Sequence, residues 1–140
     1  MNALATLRIG SLEIVGALAL FAAVAAVPRT RHVPDAGVFA PARIALDIDE
    51  HGTTRRFEGL CPLTVGRAGS ADVMVLDPEV SRVHARFESQ DGVVYASDAG
   101  SSNGTFLNGR RLDGAVEVLP GDTIDVGTTR ITYVGSGTWA

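Results

Sequence analysis

The stretch SRVHARFESQDGVVYASDAGSSNGTFLNG, residues 81–109, decides the fold. It holds three short runs: HARFES (84–89), VVYASD (93–98) and TFLN (105–108). Each carries the β-branched and aromatic residues that suit a pleated surface. Asp91-Gly92 lies between the first two runs and Asn108-Gly109 follows the third. Such pairs adopt the positive φ angles that tight hairpin turns need. No helical spacing of useful length interrupts them.

The same pattern extends in both directions. RIALDID (43–49), TRRFEG (54–59), LTVGR (63–67) and VMVL (73–76) precede the stretch; AVEVL (115–119), DTIDVG (122–127) and RITYVG (130–135) follow it. Many short strands at close, regular spacing predict an all-β sandwich of two antiparallel sheets with about ten or eleven strands, spanning residues 43–137. Its expected core is Ile44, Leu46, Phe57, Val65, Val73, Val75, Val83, Phe87, Val94, Phe106, Val126 and Ile131, or their neighbours.

Four motifs stand at strand ends in this half: Gly66-Arg67, Ser81-Arg82-Val83-His84, Ser102-Asn103-Gly104-Thr105-Phe106 and Asn108-Gly109. Singly each is commonplace, because an arginine after a strand is usually a solvated charge and Asn-Gly is usually only a turn. Together, in this order and spacing, they resemble the forkhead-associated (FHA) family over residues 43–137. The resemblance implies a β-sandwich whose loops bind phosphothreonine peptides, with phosphothreonine preferred over phosphoserine.

The residue chemistry agrees. A phosphate dianion needs several converging donors. Arg67 offers a planar guanidinium that can fork two bonds, and Ser81 and Ser102 offer hydroxyls, or in the case of Ser102 a backbone N–H. Gly66 lets backbone pack close beside the arginine. Asn103 carries a donor and an acceptor on a short stem; the resemblance implies that it grips the main chain of the peptide. Arg82 is placed to touch the phosphate or an acidic residue beside it, although a solvated charge is the commoner fate. By the same resemblance His84, Gly104, Thr105, Asn108 and Gly109 are scaffold residues, with His84 buried and hydrogen-bonded between loops.

The first 28 residues differ in kind. Ile9–Val27, IGSLEIVGALALFAAVAAV, is apolar apart from Glu13. At roughly 1.5 Å per residue it would span about 28 Å as a helix, close to a bilayer core. A single membrane anchor is the favoured reading. A cleavable signal peptide (with Ala23-Val24-Ala25 as its cleavage site) and a helix docked on the domain are the alternatives, and Glu13 weighs against the signal peptide. Arg29 and Arg31 place the following domain on the cytoplasmic side by the positive-inside rule. Residues 29–42, which follow Pro28 and hold Pro34, Pro41 and Gly37, read as a flexible linker.

Composition narrows the function classes. The chain has 140 residues and a formal net charge of −4. All twelve basic residues are arginine, which with abundant alanine, glycine and valine suggests a GC-rich bacterial genome. An acidic chain has no general attraction for nucleic acid, so an anion site must be built locally. Cys61 is alone, so no intrachain disulfide forms, and its apolar setting reads as a small buried hydrophobe. The three histidines show no metal-ligand spacing, and no cofactor loop is present. Gly100-Ser101-Ser102-Asn103-Gly104 matches a nucleophile elbow, but a strand and turn follow it instead of a helix, and no histidine lies beyond it. Asp47–Glu58 approaches a calcium loop, yet His51 and Arg55 occupy ligand positions, and a hairpin turn at His51-Gly52 fits better. The expectation is therefore a non-enzymatic, membrane-tethered reader of phosphothreonine partners in Ser/Thr kinase signalling. A phospho-independent interaction module is the alternative.

Overall fold

The computed structural model describes residues 41–137. They form eleven strands: β1 (Arg43–Glu50), β2 (Thr53–Leu60), β3 (Leu63–Gly66), β4 (Val73–Met74), β5 (Ala85–Gln90), β6 (Val93–Asp98), β7 (Thr105–Leu107), β8 (Arg110–Arg111), β9 (Val116–Glu117), β10 (Thr123–Val126) and β11 (Thr129–Ser136). A six-stranded sheet runs β2-β1-β11-β10-β7-β8 and a five-stranded sheet runs β4-β3-β5-β6-β9. There is no helix among the described residues. The anchor expected over 1–28, and the linker over 29–42 apart from Pro41 and Ala42, lie outside them.

Three two-residue turns set the hairpin registers. His51-Gly52, Asp91-Gly92 and Asn108-Gly109 all have positive φ at both positions. They close the pairs Glu50↔Thr53, Gln90↔Val93 and Leu107↔Arg110. Two positive φ values in succession match the right-handed twist of the flanking strands.

The core lies between the sheets. Ile44, Leu46, Ile48, Ile124, Val126 and Ile131 meet Leu63, Val65, Val73, Phe87, Val94 and Ala96 in one buried cluster. Cys61 joins this cluster at 1% exposure. Burial pushes its thiol up to about 11, with the charge of Glu88 adding to the effect, so it packs as a hydrophobe and is not poised as a nucleophile.

The structure corrects the expected fold in three places. The five-stranded sheet is not wholly antiparallel, because β3 and β4 pair in parallel. The short 67–72 return suffices, since β4 is only two residues long, and the Asp72 carboxylate pins that return by accepting from the Thr64 N–H and hydroxyl. Val83 is 42% exposed; Val80 fills the core instead. The segment before β5 is a loop, where two-residue alternation does not apply. Phe57 and Phe106 are only partly buried, Phe57 against the edge of the core.

Strand direction then decides where the loops meet. The pairs Val65↔Ala85, Ala85↔Asp98, Val126↔Thr105 and Asp49↔Arg130 put one set of strand ends together. The 67–72, 75–84 and 99–104 loops share this end with the turns at His51-Gly52 and Gly127-Thr128.

Candidate functional site

The short segment Glu79-Val80-Ser81 is the hub of the loop end. The Val80 carbonyl accepts the Arg67 Nε–H at 3.1 Å. The Ser81 hydroxyl oxygen accepts the Ser102 N–H at 3.0 Å. The Glu79 carbonyl accepts from Asn103 Nδ2 at 2.8 Å. Arg67, Ser102 and Asn103 are thereby fastened to the three-residue stretch that itself carries Ser81.

Each fastening leaves a functional end open. Arg67 is held through Nε, which leaves both terminal guanidinium nitrogens for a forked contact. Ser81 accepts a bond with its oxygen and keeps its own O–H to donate. The Ser102 N–H is committed to Ser81, so the hydroxyl is the remaining donor of that residue. Asn103 spends one amide hydrogen and keeps Oδ1 as an acceptor. The arrangement presents donors for an anion beside an acceptor for a main-chain N–H.

Backbone packing sets Arg67. Its N–H donates to the Ser81 carbonyl at 3.0 Å, and the Ala68 N–H donates to the Arg82 carbonyl at 3.1 Å. Any side chain at Gly66 would overlap the Arg82 carbonyl oxygen. Glycine is therefore required there for steric reasons, because the two loops touch through bare backbone. Arg82 is exposed at this contact, one residue beyond Ser81.

His84 is fully buried beneath these loops. Its Nδ1 accepts the Ser81 N–H at 3.0 Å, and its Nε2 lies 2.8 Å from the Gly104 carbonyl oxygen. A carbonyl only accepts, so Nε2 carries the proton and a single tautomer satisfies both bonds. One ring thus ties the Ser81 loop to the loop bearing Ser102 and Asn103.

Two carboxylates that sequence reading missed organise the rest. Asp98 accepts from the Gly100 and Ser101 N–H groups and from the Ser101 and Thr105 hydroxyls. Ser101 Oγ in turn accepts the Gly104 N–H at 2.8 Å. Asp77, 1% exposed, accepts from the Glu79 N–H, the Thr128 N–H and hydroxyl, and the Thr129 hydroxyl. It bolts the hub segment to the β10–β11 turn of the opposite sheet. Burial opposes ionisation of both groups, but the donated hydrogen bonds outweigh it and hold both carboxyls below the usual range. The Asp98-Ala99-Gly100-Ser101 spacing carries a local signal, since aspartate often caps the backbone N–H groups two and three residues on. The Asp77–Thr128 contact spans 51 residues and has none.

Asn108 stands apart from the site. It pins the β7–β8 turn to β10 by accepting the Thr123 N–H at 2.9 Å and donating to Asp122 at 3.1 Å. Among the described residues no cluster of histidine, cysteine, aspartate and glutamate is arranged to hold a metal.

Comparison with known proteins points the same way. Residues 63–127 match the FHA domain family model. The chain is 37% identical over 71 residues to an oxoglutarate dehydrogenase inhibitor of Corynebacterium diphtheriae, a match covering 51% of this chain and 49% of that protein. It is 35% identical over 71 residues to the glycogen accumulation regulator GarA of Mycolicibacterium smegmatis, covering 51% and 44%. The chain spans about half the length of the curated relatives it matches. A solved FHA domain studied for phosphothreonine-dependent interactions superposes with a TM-score of 0.60 at 26% identity, covering 66% of this chain and 95% of that one. The sandwich is of the FHA type.

Proposed function

We propose that this chain is a phosphothreonine-peptide reader in which Arg67, Ser81 and Ser102 hold the phosphate and Asn103 holds the peptide main chain. The observation that carries this reading is the hub: Glu79–Ser81 fastens Arg67, Ser102 and Asn103 by one group each beside its own Ser81 and leaves their other groups open on one rim. Arg82 flanks the phosphate position. The match to FHA domains supports phosphothreonine as the ligand class.

The wider role follows from the ligand. A Ser/Thr kinase phosphorylates a partner protein, and this domain docks the product without catalysing a step. The apolar segment Ile9–Val27 tethers the domain to the membrane, with residues 29–42 as its leash and the domain on the cytoplasmic side. Tethering concentrates the reader near membrane-bound partners. Membrane fractionation with protease protection checks this part; an exported, cleaved domain would overturn it.

Fluorescence anisotropy with matched phosphothreonine, phosphoserine and unmodified peptides tests the reading. Binding should be tightest for phosphothreonine and lost without phosphate. The second reading, a phospho-independent module, draws on the exposed Met74 and Leu76 beside the β4 edge; equal binding of all three peptides would establish it in place of the first.

A further inference from the structure

We propose that Arg111 is a specificity residue that pairs with an acidic side chain flanking the phosphothreonine, an inference that rests on the reading above. Arg111 sits in β8 directly opposite Phe106 of β7. Its side chain reaches from there towards the loop end and lies across Gly104. A Cβ at Gly104 would stand 3.0 Å from Arg111 Nε and 3.2 Å from Cζ. The bare glycine therefore serves as the floor on which the guanidinium rests, one residue from Asn103.

Among the described residues this guanidinium has no charged partner. Arg43, Arg56 and Arg130 each face a carboxylate, and Arg111 does not. The carboxylate that builds the adjoining loop, Asp98, already accepts four hydrogen bonds and has none to spare. A cation laid over backbone beside the group that grips the peptide is thus left for the ligand. Guanidinium geometry suits a carboxylate presented edge-on. Arg67, fastened to Val80 through Nε, is the arginine assigned to the phosphate, so the two arginines divide a doubly anionic ligand between them.

The test uses the 140-residue chain and a set of phosphothreonine peptides in which each of three positions on either side of the phosphothreonine is Asp or Asn in turn. At low salt, one position should favour Asp over Asn by roughly two- to fivefold, the range of a solvent-facing ion pair. In Arg111→Gln that ratio should fall to one. In Arg110→Gln, a neighbouring arginine that does not lie over Gly104, it should persist. Because the ratio is read within one protein, any loss of folded material cancels. A ratio that survives Arg111→Gln, an absence of Asp preference at every position, or equal weakening of all phosphopeptides by Arg111→Gln would each overturn the inference. Phosphate-dependent binding without flank preference defeats this inference alone. Equal binding of an unmodified peptide defeats the phosphothreonine reading and this one with it.

Discussion

The outer face of the six-stranded sheet and the loop rim treat arginine in opposite ways. On the sheet face, Arg56 forks onto Asp47 at 2.6 and 2.9 Å, and Arg130 forks onto Asp125 at 2.8 and 3.1 Å. Both are directly opposed cross-strand pairs. The hydrogen bond from Arg56 holds the Asp47 carboxyl below its usual range. On the rim, Arg67, Arg82 and Arg111 face no carboxylate among the described residues. Asp77 and Asp98 lie close by but are saturated by N–H and hydroxyl donors, so they shape the loops without consuming the arginines. The contrast shows how a chain of net charge −4 would offer the proposed anion site. Local pairing, not total charge, decides where positive potential survives.

The largest expected effect lies on the rim. Arg67→Ala should cost roughly 2–5 kcal/mol of phosphopeptide binding by calorimetry, as when one partner of a desolvated charge pair is removed. A negligible change would place the anion elsewhere. Next is Asp98→Ala, which strands two N–H groups and two hydroxyls. Leaving partly buried donors unmet costs about 1–3 kcal/mol, read as a lower urea midpoint, with weaker phosphopeptide binding because Ser102 and Asn103 lose their support. Smaller still is the acid limb of stability. The folded pKa of Asp98 is depressed below its reference of 3.8. Its contribution is therefore complete above that value and drains away as pH falls through the lower folded one. Asp98→Asn should flatten the stability profile in that window; an unchanged slope would show that other carboxylates set it. The smallest effect belongs to the paired face. Arg56→Ala should leave phosphopeptide affinity untouched and stability nearly so, since exposed ion pairs contribute little. A clear loss of affinity there would erase the distinction between the two regions.

Much of the fold was legible because its signals are local. VVYASD (93–98) became β6 with unchanged bounds, and Asp91-Gly92 and Asn108-Gly109 became the turns their chemistry suits. β8 escaped notice because Arg110-Arg111 has no apolar alternation and is a strand only through pairing with β7. β4 ends at Met74 rather than Leu76 because the Leu76 N–H turns to the Glu50 carboxylate. Val83 was misplaced for a related reason. Asp77 folds the preceding loop so that Val80 turns inward, and the buried His84 then fixes the exit from that loop. Sequence motifs singled out Arg67, Ser81, Ser102 and Asn103. They could not reveal the hub at Glu79–Ser81, since its contacts use mostly carbonyl groups, which every residue possesses. The Arg111–Gly104 contact was invisible for the same kind of reason: it depends on cross-strand register.

The central claim is that phosphate seeks the rim and ignores the paired face. Titrating a phosphothreonine peptide into the isotope-labelled chain, and following backbone amide shifts, tests it directly. The account predicts that the largest shifts fall on Arg67, Ser81, Arg82, Ser102, Asn103 and Gly104, while Asp47, Arg56, Asp125 and Arg130 stay still. Shifts concentrated on the second group, or an identical pattern with the unphosphorylated peptide, would contradict it.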